Sequence, residues 1–403
     1  MISIALSEKG KKVYARAIGY ADLSRQQRAD TLTQYHIGSI TKMFTATMIF
    51  QLIEEGKLGL DTRLDHFFPS LPNSKQITIG LLLNHRSGLY NFTDDSLYER
   101  YQQLTKTKQQ MLDLFASQTP EFEPDTKSSY SNTNYVLLGY ILEVLTGKSY
   151  AENLQQRICT KIGLMHTVVA QSGRRSATEA DSYTWAQQWK RAIETDMSIP
   201  GGAGAIIATP SDLCLFIEAL FGGRLIKAAS LSDMKKMTEQ YGKGLFIIPF
   251  YEKTGYGHSG GIDGFESLLV YYPEDSLAMA ITGNAWNCNM NDLAIYILKT
   301  FYKKPYTLPD LSRKKTAEAI PGQIEGSYEN QQIHMKITVR KKGDHFEAQA
   351  DGQSAFPLEQ VDALRYKFEL AHVQMLFHEE AGTHRILSFT LKQNGMELEF
   401  ERN

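Results

Sequence analysis

Between His36 and Glu54 the chain carries a single charge, Lys42. Across residues 37–55 the apolar positions Ile40, Met43, Phe44, Ala46, Met48, Ile49, Phe50, Leu52 and Ile53 wrap most of a helix instead of keeping to one stripe. That pattern predicts a buried helix, started by Gly38 and Ser39. Before it, residues 2–6 and 12–20 read as two strands joined by the turn Glu8-Lys9-Gly10-Lys11. After it come a short helix at 79–83, a helix at 108–117, and a third at 136–145 that ends at Gly147. Residues 177–200, with Trp185 and Trp189, read as loop with a helical portion. A further helix opens with Pro210 in its first turn and Thr209 as its cap, and runs to about Phe221.

Three strand-like runs follow at 244–250, 267–272 and 277–282, then an amphipathic helix at 291–302. With the N-terminal hairpin, five strands are available. Helices inserted between the strand groups, without strict βαβ alternation, predict an α+β fold: an antiparallel five-stranded sheet flanked by helices, with a mostly helical insertion. Gly255-Tyr256-Gly257-His258-Ser259-Gly260-Gly261 lies between two of the strands, and its missing side chains would let a ligand approach the backbone.

Past Pro305 the periodicity changes. Ile333, Met335, Ile337 and Val339 alternate with polar residues, as do Met396, Leu398 and Phe400, with turns at Gly343-Asp344, Asp351-Gly352 and Asn394-Gly395. The reading is three segments: a domain at 1–306, a linker rich in proline and lysine at 307–321, and a small C-terminal antiparallel β-barrel at 322–403.

Composition narrows the chemistry. At 403 residues and 42% hydrophobic, the chain can bury a large core and exceeds the usual size of one domain. A net charge of -2, with short basic clusters at Arg313-Lys314-Lys315 and Arg340-Lys341-Lys342, leaves no electrostatic footprint for nucleic acid. Cys159, Cys214 and Cys288 are widely spaced, suggesting neither a zinc site nor a disulfide framework, and no cofactor or metal is implied. No apolar run is long enough for a transmembrane helix, and residues 1–6 are too short for a signal sequence. A cytoplasmic protein and an exported one without its leader read alike.

A lysine is almost never fully buried without a compensating gain. Ser39 and Lys42 are spaced i, i+3, so they share a helix face, close enough for the amine to take the hydroxyl proton. Desolvation and the partial positive charge of the helix N-terminus both favour the neutral amine, which is a base. The alternative is a capping serine and a lysine that extends its amine to the surface. His85 offers a second base, though beside Gly88 it reads more simply as a structural loop residue. Tyr130 and Asn132, two apart before a helix, would point the same way in an extended stretch.

Ser39-Ile40-Thr41-Lys42, Tyr130-Ser131-Asn132 and His258-Ser259-Gly260 stand in that order. The set resembles the serine β-lactamase and penicillin-binding protein superfamily, in the branch of class C β-lactamases, DD-carboxypeptidases, D-aminopeptidases and certain esterases. Leu83-Asn84-His85-Arg86-Ser87-Gly88-Leu89 and Thr209-Pro210-Ser211-Asp212-Leu213 are similar to that branch too, and the resemblance spans residues 4–302. Relatives begin with a helix ahead of the first strand, whereas this chain starts almost inside it, as it would after a removed leader. Export to the periplasm or outside the cell is what the resemblance implies. His258 stands where β-lactamases usually have lysine, which tells against β-lactamase activity in particular.

The resemblance implies a serine hydrolase working through an acyl-enzyme, with Ser39 as nucleophile and Lys42 and Tyr130 sharing its proton. Which of these two is the base stays open, and their titrations would be coupled. Backbone N–H groups of Ser39 and Gly261, beside Gly260, would form the oxyanion hole, where one donor is worth about 3 kcal/mol. Asn132 would orient a substrate amide or the lysine, or else cap the following helix. Ser259 would meet a substrate carboxylate; His258 would hydrogen-bond Tyr130 or shape its strand. The leading expectation is a D-alanyl-D-alanine carboxypeptidase-like action on D-amino-acid peptides, with covalent adducts on β-lactams. A serine esterase, a β-lactamase or D-aminopeptidase, and a non-catalytic peptidoglycan- or partner-binding protein are the alternatives. Small-molecule or peptide substrates, and no nucleic acid, are the expected partners; oligomeric state is not legible.

Overall fold

In the computed structural model the described residues are 1–171, 173, 176–185, 188–286, 290–306, 324–331, 333, 335–342, 345–350, 355–361, 363–368, 373–380, 385–393 and 396–402. The chain forms two compact units, Met1–Lys303 and Lys304–Asn403. The linker expected at 307–321, the three turns expected in the barrel and Cys288 lie outside the described residues.

The first unit is built on an antiparallel sheet whose strands run in the spatial order Phe246–Phe250, Lys253–Ile262, Phe265–Tyr272, Leu277–Gly283, Ile2–Glu8 and Lys11–Ile18. Its two faces follow the two-residue alternation of strand side chains. Ala5, Leu269, Ala278 and Ala280 face the helical body and pack with the Pro210–Phe221 helix. Ile4, Leu6, Leu268, Val270, Met279 and Ile281 face the other way and are covered by Ala294 and Leu298 of the Met290–Phe301 helix. Small residues on one face and large ones on the other let that first helix lie close to the sheet.

The expected α+β architecture is therefore present, but the sheet has six strands, not five. The additional strand is Lys253–Ile262, the stretch rich in glycine that lies between two of the expected strands. Crowding requires glycine at two of its positions: a Cβ on Gly257 would lie 1.9 Å from Leu269 O, and one on Gly255 2.6 Å from Ile248 O. A strand pressed this closely between neighbours loses the alternating side chains by which strands are recognised. Residues 177–200 also differ from expectation. Their described part holds a small hairpin, Tyr183–Trp185 with Trp189–Arg191, and no helix.

Thr41–Glu54 is the central helix, buried from Thr41 to Leu52, and a short 3-10 turn, Gly38–Ile40, leads into it. Asn132–Thr146 packs against it.

The second unit is a closed antiparallel barrel of eight strands among the described residues, from Gly326–Asn330 to Met396–Arg402. Tyr328, Tyr366, Phe377, Phe389 and Phe400 fill its interior. Closure leaves no free strand edge.

Candidate active site

Three elements bring the first set of residues together. The turn Gly38–Ile40 presents Ser39, the first turn of the Thr41–Glu54 helix presents Lys42, and an extended residue, Ser131, separates Tyr130 from Asn132. Asn132 is the first residue of its helix, not part of the loop before it. Ser39 lies within that turn and is the N-cap of neither helix, and its hydroxyl meets Lys42 and Tyr130 instead.

Lys42 is fully buried, and its Nζ lies 2.9 Å from Ser39 Oγ, 2.7 Å from Asn132 Oδ1 and 2.8 Å from the Ala203 carbonyl. None of the three partners is charged. Burial holds the Lys42 ammonium well below the usual lysine range. A neutral amine has two N–H donors and one lone pair. In that form two donors can meet Asn132 Oδ1 and Ala203 O, leaving the lone pair for the Ser39 hydroxyl. On the other side Tyr130 donates to Ser39 Oγ at 2.7 Å. Burial raises the Tyr130 phenol above its ordinary value, partly offset by that bond to Ser39. Burial thus disfavours the charged form of both Lys42 and Tyr130.

Asn132 is itself held. Its backbone N–H donates to Asn91 Oδ1 at 2.9 Å, while its Nδ2 donates to Asn91 Oδ1 at 3.3 Å and Thr93 Oγ1 at 3.1 Å, which fixes the amide with Oδ1 toward Lys42. Asn91, Thr93 and the Ala203 carbonyl were beyond sequence reasoning. The run Gly201-Gly202-Ala203-Gly204 was the one available signal, since a Cβ on Gly202 would come within 2.7 Å of Tyr135 O.

His258, Ser259, Gly260 and Gly261 lie on the Lys253–Ile262 strand beside the Ser39 turn. Gly38, at φ +48°, has no room for a side chain: a Cβ there would stand 2.8 Å from Gly261 N. This close approach sets the Gly261 backbone against the Ser39 turn. His258 Nδ1 hydrogen-bonds the Ser259 carbonyl, and burial, with Lys42 nearby, pushes its imidazole down to about 3. It is a neutral ring with its other nitrogen an acceptor.

Two clefts meet at Ser39 and Gly261. One, of about 740 Å³, includes Thr93, Glu99, Asn132, Lys190 and Asp263 in its lining; the other, of about 300 Å³, is walled by Tyr130, Tyr241, Phe246, His258 and Ser259. Among the described residues, no group of His, Cys, Asp and Glu is arranged to hold a metal.

Residues 2–299 match the Beta-lactamase family. The chain belongs to that family. This Beta-lactamase family chain is 26% identical to penicillin-binding protein 4* of Bacillus subtilis (strain 168), over 99% of the chain and 94% of the relative. It is 26% identical to the teichoic acid D-alanine hydrolase of Staphylococcus aureus (strain NCTC 8325 / PS 47), over 70% of each. Among solved structures, the D-amino acid amidase from Ochrobactrum anthropi SV3, complexed with L-phenylalanine amide, superposes with a TM-score of 0.67 and 28% identity, covering 75% of this chain and 93% of that one. Like these relatives, it is a serine hydrolase of the superfamily. No helix among the described residues is long and apolar enough to cross a membrane.

Proposed function

We propose that this chain hydrolyses D-aminoacyl amides and esters through an acyl-enzyme on Ser39. The observation that carries the reading is the pair of contacts at Ser39 Oγ, with the fully buried Lys42 Nζ at 2.9 Å and Tyr130 Oη at 2.7 Å, two groups whose charged forms burial disfavours. Lys42 takes the Ser39 proton as Oγ attacks the carbonyl carbon, and the backbone N–H groups of Ser39 and Gly261 stabilise the oxyanion. Tyr130 passes its proton to the leaving group and is reprotonated from Lys42. Water then attacks the ester on Ser39 by the same steps reversed. The D-configuration is inferred from the relatives, one named for D-alanine on teichoic acid and one for D-amino acid amides.

The smaller cleft favours a neutral leaving group. Its lining carries no lysine or arginine among the described residues, and His258 offers it an uncharged acceptor. Such a site suits an ammonia, amine or alcohol leaving group better than one with a free carboxylate. A second reading, D-alanyl-D-alanine carboxypeptidase action, is favoured by one observation: Ser259 is exposed in that cleft, where its hydroxyl suits a substrate carboxylate. With this reading we propose that the chain acts outside the cytoplasm, on the strength of the relative named for D-alanine on teichoic acid. The test compares kcat/KM on D-alanine amide, a D-alanyl ester and an acylated D-alanyl-D-alanine peptide, with the L-isomers as controls. Faster turnover of the first two supports the neutral leaving group; preference for the dipeptide, lost in Ser259→Ala, supports the second reading. Preference for the L-isomers would overturn both.

A further inference from the structure

The hydrolytic scheme leaves His85 without a part, although it is 3% exposed and lies against the reacting groups. It lines neither cleft at Ser39. Its backbone is left-handed, at φ +59°, a conformation that is uncommon outside glycine, though less so for histidine than for most residues. That conformation turns both its carbonyl and its ring toward one segment. The His85 carbonyl accepts from the Ser129 N–H at 2.9 Å, and His85 Nδ1 accepts from the Ser131 N–H at 3.2 Å. Those two amides flank Tyr130. Between them the imidazole stacks on the Tyr130 ring, with centroids 4.5 Å apart and planes at 28°, and the rings of Tyr135 and Tyr241 lie beside it with centroids at 5.3 and 5.2 Å.

We propose that His85 is a positioning residue for Tyr130: it grips the peptide on both sides of the tyrosine and backs its ring, so that the phenol is held on Ser39. A catalytic base needs a free nitrogen facing substrate. His85 spends Nδ1 on an amide N–H, which puts its own proton on Nε2, and its ring is 3% exposed among three tyrosines. In the sequence, the motif Asn84-His85-Arg86-Ser87-Gly88 does not distinguish a base from a clamp, because the partners lie more than forty residues away, at 129–131.

The inference rests on the proposed role of Tyr130, so the test is a double-mutant cycle in the full chain, read as kcat and KM on an activated D-alanyl ester. His85→Phe keeps a flat ring and removes the acceptor; His85→Asn removes the ring but restores an acceptor near Nδ1 and tolerates the left-handed backbone. His85→Phe lowers kcat about tenfold or more with KM within about threefold, as expected for a misplaced reacting group, and His85→Asn loses less. In a Tyr130→Phe background, replacing His85 costs no more than about threefold further. Multiplying losses, or equal losses in the Phe and Asn variants, overturn the clamp while leaving the hydrolytic scheme intact. Normal kcat in Tyr130→Phe alone overturns the scheme and the clamp together. Should His85→Phe fail to fold, ¹⁵N NMR of the wild-type histidines decides: a neutral, Nε2-protonated His85 from pH 5.5 to 8.5 supports the clamp, and an imidazolium or an Nδ1–H tautomer overturns it.

Discussion

Gly260 sits where the Lys253–Ile262 strand crosses the segment entering Ser39. A Cβ there would lie 2.0 Å from Ile37 O and 2.6 Å from Ser267 Oγ, and Ser267 itself donates to Ile37 O at 2.8 Å. The nearer obstacle is backbone, so no side chain can rotate away to relieve it. Restoring ordinary contact, which begins at 3.4 Å, requires the strand and Ile37 to part by roughly 1.4 Å. Ser39 is two residues past Ile37 and Gly261 follows Gly260, so the separation falls on the two amides proposed to hold the oxyanion. A misplacement of about 1 Å costs about 10²-fold. Gly260→Ala is therefore expected to lower kcat/KM about 10²-fold, ~2.7 kcal/mol at the transition state, and to cost about 1–3 kcal/mol of stability through overpacking. Gly261→Ala is the control for the overpacking: its Cβ would meet only Phe265 O at 4.0 Å, so its stability should change by less than about 1 kcal/mol. Steady-state hydrolysis of a D-alanyl ester, assayed well below each variant's Tm, measures the first effect and denaturant titration the second. Near-normal turnover in Gly260→Ala, or an equal loss of stability in Gly261→Ala, would show that crowding at Ile37 does not set this geometry.

Tyr130→Phe removes the hydroxyl that meets Ser39, and kcat should fall by about 10²-fold or more; stopped-flow acylation tests this, and unchanged rates would leave Lys42 acting alone. Lys42 has a folded pKa depressed below its unfolded value, so the unfolded chain binds the extra proton and wild-type stability rises with pH between those two values. Denaturant titrations of wild type and Lys42→Met should therefore show the wild type gaining relative stability from pH 7 to pH 10, and the opposite slope would mean a charged, paired lysine. Burial raises the thiol of Cys159 to about 12 and that of Cys214 as well, so neither should be alkylated by iodoacetamide at pH 7.5 without denaturant; peptide mapping that finds either one modified contradicts their burial. A chain ending at Tyr306 retains the sheet and both of its packed faces, and should unfold cooperatively with ester hydrolysis intact. Loss of cooperative unfolding would show that the first unit depends on the barrel.

The central helix was legible because residues 37–55 lack a polar face, and the pairing of Ser39 with Lys42 because i, i+3 is set by helix geometry alone. The N-terminal hairpin and the strands on either side of Pro273 carry enough β-branched and aromatic residues to declare themselves. The Lys253–Ile262 strand did not, because packing against Leu269, Ile248 and Ile37 demands glycine at positions where a strand normally shows side chains. Partners joined across long sequence separations were hidden as well. The Ala203 carbonyl contributes no side chain at all, and Asn91 and Thr93 reach Asn132 from a segment forty residues earlier. His258 was legible as a residue but not as a charge state, which depends on burial that only the folded chain supplies.

Covalent labelling reports directly on Ser39 as the nucleophile. Intact-protein mass spectrometry after exposure to a fluorophosphonate, a panel of β-lactams and an activated D-alanyl ester, followed by peptide mapping, reads both the number of adducts and their position. One adduct per chain on the peptide holding Ser39, absent from Ser39→Ala, is the predicted result; an adduct on another serine, or labelling that persists in Ser39→Ala, would contradict it.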